Sequence, residues 1–239
     1  MSEILVGLLI GLVTILVIIG LVVLFVYLRV KQLANEAYTD EQRFKFVSWL
    51  LSWGAPLLFN VSVEVENAHY LDEVETGVIF GNHQSNFDII ALLKGIKRRH
   101  GYVSKKELDH IFLLSDAMRL IKCEFMDRTD VRQSVKVISS AAKTAATGHL
   151  MVIFPEGTRE INAPVGTFKA GSFKLAQKAK AAIIPITIFN SYEVEKRFPR
   201  RTKIKIKVHQ PMTYDMYSHL STNEICEQVE RIIKAPLMK

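Results

Sequence analysis

The stretch GNHQSNFD, residues 81–88, joins two apolar runs of different character and decides how the chain folds around it. The preceding run at 78–80 is Val-Ile-Phe, which predicts a short buried strand, whereas the pattern over 87–96 predicts a helix. Asp88 lies in the first turn of that helix, where the helix dipole favours a carboxylate, and the polar residues before it can cap the helix. The stretch therefore places polar side chains at a junction between a strand and a helix.

His83 and Asp88 lie five residues apart, which on a regular helix would separate them by about 140°. They can meet if the chain bends across the polar residues 84–86. A carboxylate bonded to one imidazole nitrogen fixes the tautomer and leaves the other nitrogen to act as a base. The pair is therefore a candidate for deprotonating a hydroxyl, although taken alone it is also typical of an ordinary loop histidine and a first-turn acid.

Length and composition limit the class of protein. At 239 residues the chain has room for a membrane anchor and one domain of ordinary size. A formal net charge of +7 predicts an anionic partner, and the lack of a long like-charge tail argues against nucleic acid. Cys123 and Cys226 have no spacing typical of a zinc site or a redox pair, which indicates a reducing compartment without a disulfide framework.

The first apolar segment predicts attachment to a phospholipid membrane. Residues 4–28 contain no charged side chain and consist mainly of Leu, Ile, Val and Phe, a composition that favours insertion into lipid. Arg29 and Lys31 follow this segment, whereas only Glu3 precedes it. If the helix spans the cell membrane, this asymmetry places the bulk of the protein on the cytoplasmic side.

A second apolar segment, residues 40–60, carries acidic residues at its start and then Trp49 and Trp53 among phenylalanines and leucines. This composition predicts a helix at the head-group boundary, because an indole ring has both an apolar body and a polar tip. An ordinary core helix is the alternative. Residues 1–60 are thus predicted to form a two-helix membrane anchor, either transmembrane or a hairpin in one leaflet.

Residues 61–239 alternate short apolar runs with longer helical patterns, which predicts an α/β domain with a mostly parallel sheet flanked by helices. Functional residues in such sheets collect where strands end and helices begin, which is where His83 lies. The expected strands are 61–65, 76–80, 101–104, 124–127, 150–154, 182–188 and 203–208, and the expected helices are 87–96, 106–120, 130–147, 171–179 and 223–233.

A second junction is VIFPEGTR, residues 152–159, where a predicted buried strand runs into a tight turn. Pro155 ends the strand and Gly157 permits the turn. Arg159 could hold a phosphate or carboxylate through a bidentate contact, although such a turn is also common in solvated loops. Arg128 and Lys105 likewise follow apolar runs, so several cations are expected to converge on strand ends.

Taken together, these blocks resemble the glycerolipid acyltransferase family, specifically the 1-acyl-sn-glycerol-3-phosphate acyltransferases that make phosphatidic acid. The resemblance covers roughly residues 76–188. The family's blocks correspond to Asn-His-x4-Asp at 82–88, an arginine-ending block at 122–128 in which a glycine is common where Lys122 stands, Phe-Pro-Glu-Gly-Thr-Arg at 154–159, and an apolar strand with an internal proline at 184–188.

The resemblance implies direct transfer of a fatty acyl group from acyl-CoA or acyl-carrier protein to the sn-2 hydroxyl of lysophosphatidic acid, with no cofactor and no metal. It implies that His83 is the general base and Asp88 its orienter. The residues that it assigns to acceptor binding are Arg159, then Arg128 and Lys105 for the phosphate, with Glu156, Gly157 and Thr158 in the turn.

Other functions stay open at this point. An acyltransferase for glycerol-3-phosphate or another lysophospholipid is one alternative, because a phosphate-binding arginine does not reveal how much of the acceptor lies beyond the phosphate. A serine hydrolase is disfavoured because Gly-x-Ser-x-Gly is absent, and a metal-dependent hydrolase because the spacing offers too few ligands near His83 and His-Glu-x2-His is absent. A non-enzymatic membrane adaptor could use the lysines that alternate along 202–208, which are also typical of a solvated edge strand.

Overall fold

The centre of the structure is one β-sheet. The computed structural model describes residues 2–159 and 165–238. Within this part of the chain the strands are β1 (Val61–Glu66), β2 (Gly77–Gly81), β3 (His100–Lys105), β4 (Glu124–Met126), β5 (Leu150–Ile153), β6 (Ala182–Phe189) and β7 (Thr202–Val208). Their order is β1-β7-β6-β2-β5-β3-β4, and every neighbouring pair is parallel except β6 with β7. The predicted mostly parallel sheet is confirmed.

Helices pack on both faces of this sheet. The longer ones are α1 (Ser2–Leu33), α2 (Asp40–Leu58), α3 (Phe87–Gly95), α5 (Val131–Ala145) and α9 (Thr222–Lys234), and the shorter ones are α4 (Leu114–Leu120), α6 (Lys174–Ala179), α7 (Glu193–Arg197) and α8 (Tyr214–Tyr217). Single turns of 3-10 helix lie at Ala68–Leu71, Lys106–His110, Ala170–Phe173 and Ala235–Leu237. The predicted α/β class with flanking helices is therefore correct.

Strand β2 explains why the core has two halves. Ile79 packs with helices α1 to α4 on one face, while Val78 and Phe80 pack with α5, α6 and α9 on the other. All three side chains are fully buried. A strand covered on both faces needs apolar residues at consecutive positions, which is why this run lacks the alternation of a half-exposed strand.

The predicted single helix over 106–120 is wrong, because the segment divides in two. A 3-10 turn ends at His110, and α4 begins only at Leu114, after Leu113 with a φ of 65°. Between them Phe112 is displayed outward and its ring stacks on Tyr27 of α1, with centroids 5.9 Å apart. This contact with a distant helix overrides the local helical pattern.

Helix α1 is long and apolar enough to cross a membrane, by its length and composition. The side chains over 4–25 are exposed, whereas Val26, Val30 and Leu33 at its end pack into the domain core. In contrast, α2 packs on α3 and α4 through Phe44 and Val47.

The other face of α2 displays Trp49 and Trp53, which are 52% and 64% exposed. Helix α2 thus combines a face packed on the domain with an aromatic face open to the surroundings. The anchor formed by two helices and the domain division at residue 60 stay predictions.

Candidate active site

The loop between β2 and α3 bends so that His83 and Asp88 meet. His83 Nδ1 lies 2.7 Å from Asp88 Oδ2. The same carboxylate oxygen accepts hydrogen bonds from the backbone N–H groups of Gln84 and Ser85, at 2.8 and 2.9 Å. The backbone therefore wraps around a fully buried carboxylate, which supplies the bend that the spacing of five residues requires.

This arrangement determines which imidazole nitrogen is available. Because Asp88 Oδ2 is a hydrogen-bond acceptor, Nδ1 of a neutral His83 carries the proton, and Nε2 keeps its lone pair. The His83 side chain remains 16% exposed, whereas that of Asp88 is inaccessible to solvent. The pair can accept a proton from a hydroxyl that approaches from the open side.

Two residues of the second junction, Phe154 and Glu156 at the end of β5, contact His83. The imidazole stacks on the Phe154 ring, with centroids 4.3 Å apart and planes at 13°. The backbone N–H of His83 donates to Glu156 Oε1 at 2.6 Å, and the N–H of Gly166 donates to Glu156 Oε2 at 2.6 Å. The buried Glu156 carboxylate thus ties the histidine to the turn after β5.

Asn82 fixes the end of β2 to strand β6. Its side-chain amide donates to the carbonyl oxygen of Ile188 at 2.9 Å, and its amide oxygen accepts from the N–H of Ile188 at 2.8 Å. The asparagine is fully buried, so these two bonds are shielded from water. Asn82, the residue before His83, therefore fixes the start of the loop to β6.

A groove of about 510 Å³ opens beside this loop, and Phe154 and Gly157 contribute to its wall. Gly157 has a φ of 74°, and a Cβ atom there would lie 2.8 Å from Lys169 Nζ, so the turn requires glycine. The lining of the groove combines apolar side chains with four cations, which suits an amphiphilic anion. The apolar residues include Val103, Met126, Val131, Val135, Ile138 and Ile153, and the cations are Arg128, Lys169, Lys174 and Lys178.

The predicted binding residues are distributed around this groove. Arg128 and Gly157 line it, while Lys105 is exposed at the end of β3, with its Cα paired to Met126 in the groove wall. Thr158 and Arg159 are exposed just beyond the turn. Among the described residues, none of these five forms a hydrogen bond or ion pair with His83 or Asp88.

Lys122, where a glycine is common in the family, adopts a φ of 58°. This left-handed conformation is the one that glycine accepts without strain. Lys122 Nζ lies 2.5 Å from Asp40 Oδ2 at the start of α2, and Arg99 approaches the same oxygen at 3.8 Å. Burial acts to raise the pKa of Asp40, but the hydrogen bond and charge of Lys122 outweigh it and lower the pKa below its usual value. The lysine thus links α2 to the strand that precedes Arg128.

Some contributors to the site were not predicted from the sequence. The stacking of Phe154 on His83 and the lysines of α6 at the groove had no local signal, because they depend on how β5 and α6 are placed. Asn82 did have a signal, since it opens the Asn-His-x4-Asp block, but its partner Ile188 lies 106 residues away.

The cysteines, the possible metal ligands that the structure describes and the lysines of β7 add no further reactive or binding group to the candidate site. Burial raises the pKa of the Cys123 thiol to about 12 and that of Cys226 to about 11, so neither is a ready nucleophile. Among the residues that the structure describes, no three His, Cys, Asp or Glu side chains gather as metal ligands would. The lysines of β7 are partly neutralised, because Lys203 and Lys205 form ion pairs with Glu64 and Glu66 of β1.

Comparison with known proteins places these features in a family. Residues 62–189 match the family model described as Acyltransferase. A protein of Mycoplasma pneumoniae named "Probable 1-acyl-sn-glycerol-3-phosphate acyltransferase" is 29% identical over 213 residues, which are 83% of this chain and 79% of that protein. The mouse 1-acyl-sn-glycerol-3-phosphate acyltransferase alpha is 32% identical over 69% of this chain, but only 59% of its own length is matched.

A solved structure shares the fold. The crystal structure of the 1-acyl-sn-glycerophosphate (LPA) acyltransferase from Thermotoga maritima superposes with a TM-score of 0.69 and 24% sequence identity. The match covers 90% of this chain and 86% of that one, so it includes most of both architectures.

Proposed function

The chain belongs to the acyltransferase family, and from this membership we propose that it transfers a fatty acyl group from a thioester donor to the sn-2 hydroxyl of 1-acylglycerol-3-phosphate, giving phosphatidic acid. The names of its relatives from Mycoplasma pneumoniae and mouse support this acceptor. The donor is acyl-CoA or acyl-carrier protein.

The contact of 2.7 Å between His83 Nδ1 and Asp88 Oδ2 is the observation that carries the proposal. It supplies a base oriented by a buried carboxylate, next to a groove that is lined by both apolar side chains and cations. A lysophospholipid with a phosphate and an acyl chain matches both properties of the groove.

In the proposed reaction His83 Nε2 takes the proton of the lipid hydroxyl while the hydroxyl oxygen attacks the thioester carbonyl carbon. A new C–O bond forms, and the carbonyl oxygen takes up negative charge in a tetrahedral intermediate. Collapse of this intermediate breaks the C–S bond, and the leaving thiolate recovers the proton from His83. Asp88 stabilises the imidazolium between the two steps, and the lipid hydroxyl rather than a protein side chain is the nucleophile.

The acceptor phosphate is proposed to bind Arg159, with Arg128 and Lys105 contributing charge. Arg159 is exposed and follows the turn that carries Glu156. Because the Glu156 carboxylate accepts a hydrogen bond from the backbone of His83, a phosphate bound to Arg159 would be held by the same turn that positions the base. A guanidinium can bind phosphate oxygens in a bidentate manner, which fixes orientation as well as position. Gly157 and Thr158 belong to the same turn.

The membrane is the proposed source of the acceptor. Helix α1 has the length and composition of a membrane helix. Arg29 and Lys31 follow its apolar run, which favours a catalytic domain on the cytoplasmic side. The paired lysines of β7 leave less free charge on the strand that a purely adaptor function would use.

A panel of donors and acceptors, assayed with the purified full chain in detergent micelles, tests the function. Acyl-CoA and acyl-carrier protein are each combined with lysophosphatidic acid, glycerol-3-phosphate and other lysophospholipids, and the acylated product of each acceptor is quantified: phosphatidic acid from lysophosphatidic acid, lysophosphatidic acid from glycerol-3-phosphate, and the diacyl lipid from each other lysophospholipid. We expect product from lysophosphatidic acid, and His83→Ala to lower kcat by at least about 10²-fold.

His219→Ala, which changes an exposed histidine of the α8–α9 connection, is the matched control. Thermal unfolding of both variants verifies that they fold. Full activity in a folded His83→Ala protein would remove the mechanism, and transfer only to glycerol-3-phosphate would reassign the acceptor.

A further inference from the structure

Residues 197–201, with the sequence Arg-Phe-Pro-Arg-Arg, run from the last residue of α7 to the start of β7 and form an exposed surface that the proposed chemistry does not use. We call this segment the basic loop. Phe198 is 55% exposed, and the arginines on both sides of it are exposed as well. Arg197 pairs with Glu193 at 3.0 Å, whereas Arg200 and Arg201 form no ion pair within the described part of the chain. The loop therefore offers an apolar ring beside two free positive charges.

The basic loop lies close to the catalytic helix. The ring of Phe198 packs on Phe59, with centroids 5.5 Å apart, and Phe59 packs in turn on Phe87 at 5.0 Å. Phe87 is the first residue of α3 and precedes Asp88. Two aromatic contacts thus connect the loop to the start of the helix that carries the proposed orienting carboxylate.

The same chain of rings connects the loop to α2. Phe59 follows the last residue of α2, whose exposed face carries Trp49 and Trp53 one helical turn apart. Indole rings are favoured at the boundary between head groups and acyl chains. Because Phe198 is displayed beside the end of this helix, the exposed rings of the loop and of α2 belong to neighbouring surfaces.

The exit of α1 indicates the same side of the molecule. The C-terminal part of α1 packs into the core from Val26 onward, and Tyr27 stacks on Phe112, which is 70% exposed. Phe112 follows the 3-10 turn after β3, so it lies beyond the carboxyl end of that strand. The basic loop precedes β7, which runs antiparallel to β6, and so it too lies at the carboxyl end of the parallel strands.

We propose that the basic loop is a second membrane contact, in which Phe198 enters the head-group region of an anionic bilayer and Arg200 and Arg201 bind lipid phosphates. The contact rests on the proposed function in one respect, since it would hold the opening of the active site against the bilayer that supplies the lysolipid. Exposed aromatic rings and unpaired arginines together match a surface that is apolar below and negatively charged above.

The membrane explains this combination better than a soluble donor does. A nucleotide-bearing donor or an acidic carrier protein would also be attracted by Arg200 and Arg201. Neither accounts for the position of Phe198 beside the tryptophan face of α2, or for the exit of α1 from the same edge of the sheet.

An environment-sensitive fluorophore tests the contact without requiring enzyme activity. Phe198→Cys is labelled with a nitrobenzoxadiazole probe in the full chain and reconstituted into vesicles of phosphatidylcholine, with or without phosphatidylglycerol. The two native thiols are buried, so they are poor competitors for the label. Ser218→Cys is the matched control, because Ser218 is exposed and adjoins Tyr217, whose hydroxyl binds the carbonyl oxygen of Ala181 at the opposite edge of the sheet.

In vesicles, we expect the probe at position 198 to emit more strongly and at shorter wavelength than the probe at position 218. Lipids that carry a nitroxide near the head group should quench the probe at position 198. The response should grow with the fraction of phosphatidylglycerol. Equal spectra at the two positions would overturn the proposal. A response at 198 that appears only when acyl-CoA or carrier protein is added would assign the loop to the donor instead.

An activity measurement supplies a second, separate test. Replacing both Arg200 and Arg201 by alanine should lower kcat/KM for lysophosphatidic acid in anionic vesicles by up to about 30-fold, which corresponds to about 1 kcal/mol for each arginine. The rate with a short-chain, freely soluble acceptor should be unchanged.

The double variant Lys136→Ala and Lys143→Ala, which removes two charges from α5, is the control. Equal losses in both assays would show that the arginines serve the reaction itself and would overturn the membrane contact. If the chain transfers no acyl group, the fluorescence measurement still decides whether the loop meets lipid.

Discussion

Replacing Asp88 by asparagine separates the charge of this side chain from its shape. The amide oxygen can occupy the position of Oδ2 and still accept from His83 Nδ1 and from the backbone N–H groups of Gln84 and Ser85. The loop should therefore keep its bend. What disappears is the negative charge next to the imidazolium that forms when His83 takes up a proton.

The size of this effect follows from the distance between the charges. With Nδ1 and Oδ2 at 2.7 Å, the charge centres of the two groups are about 4 Å apart, and at an effective dielectric constant of about 20 their attraction is about 4 kcal/mol. A barrier raised by that amount lowers kcat by about 10³-fold. Stability should change far less, because the hydrogen bonds remain and the cost of burying a charge is removed.

The assay measures phosphatidic acid formation at saturating donor, with thermal unfolding of the same samples in detergent. Asp130→Asn is the matched control, because Asp130 also accepts two backbone N–H bonds at a helix start, from Arg132 and Gln133, but caps α5 instead of α3. We expect the control to retain nearly full kcat. A folded Asp88→Asn protein with kcat close to that of the native chain would refute the electrostatic role of the carboxylate.

Three further predictions concern the acceptor site, the second block and the effect of pH. Arg159→Ala should raise the KM for lysophosphatidic acid by about 10- to 100-fold, the effect of losing one charge-assisted hydrogen bond, and an unchanged KM in steady-state kinetics would place the phosphate elsewhere. Lys122→Gly and Lys122→Ala both lose the ion pair with Asp40, but only glycine relieves the left-handed backbone, so denaturant unfolding should find the glycine variant more stable by about 1 kcal/mol; equal stabilities would contradict this account. Burial lowers the pKa values of His100 and His149 to about 4, so below about pH 6.5 the unfolded chain binds more protons and stability should fall by up to about 1.4 kcal/mol per pH unit for each histidine. Unfolding midpoints that stay constant down to about pH 5 would show that these histidines take up protons in the folded chain as readily as in the unfolded chain.

The central strands β2, β5 and β6 were predictable from the sequence because the domain buries them on both faces, and β7 was predictable because its buried isoleucines alternate with more exposed lysines. Each predicted strand boundary lies within one residue of the observed one. Runs such as Val78 to Phe80 contain only apolar residues, so the change to polar sequence marks where the strand ends. The helix over 106–120 was not predictable in the same way. Its break depends on Phe112 meeting Tyr27, a contact between segments that no local pattern relates.

The candidate site shows the same division between local and distant contacts. The approach of His83 to Asp88 is closed by residues 84–86, so the spacing and the polar loop were enough to suggest it. The bond from His83 to Glu156 joins residues 73 positions apart, and only the alignment of β2 with β5 brings them together. The sequence identified Glu156 as part of a turn but could not show that its carboxylate would hold the histidine.

The long-range hydrogen bonds at Asn82 and His83 have a practical consequence for how the protein loses activity. Asn82 ties the loop to β6 and Glu156 ties it to the turn after β5, so the imidazole depends on the alignment of three strands at once. A shift of one strand by a single residue would reverse which side chains face the core and would carry the histidine out of place. Heat or mild denaturant should therefore inactivate the protein before it loses its helices, which makes the rate of turnover a more sensitive measure of sheet integrity than circular dichroism.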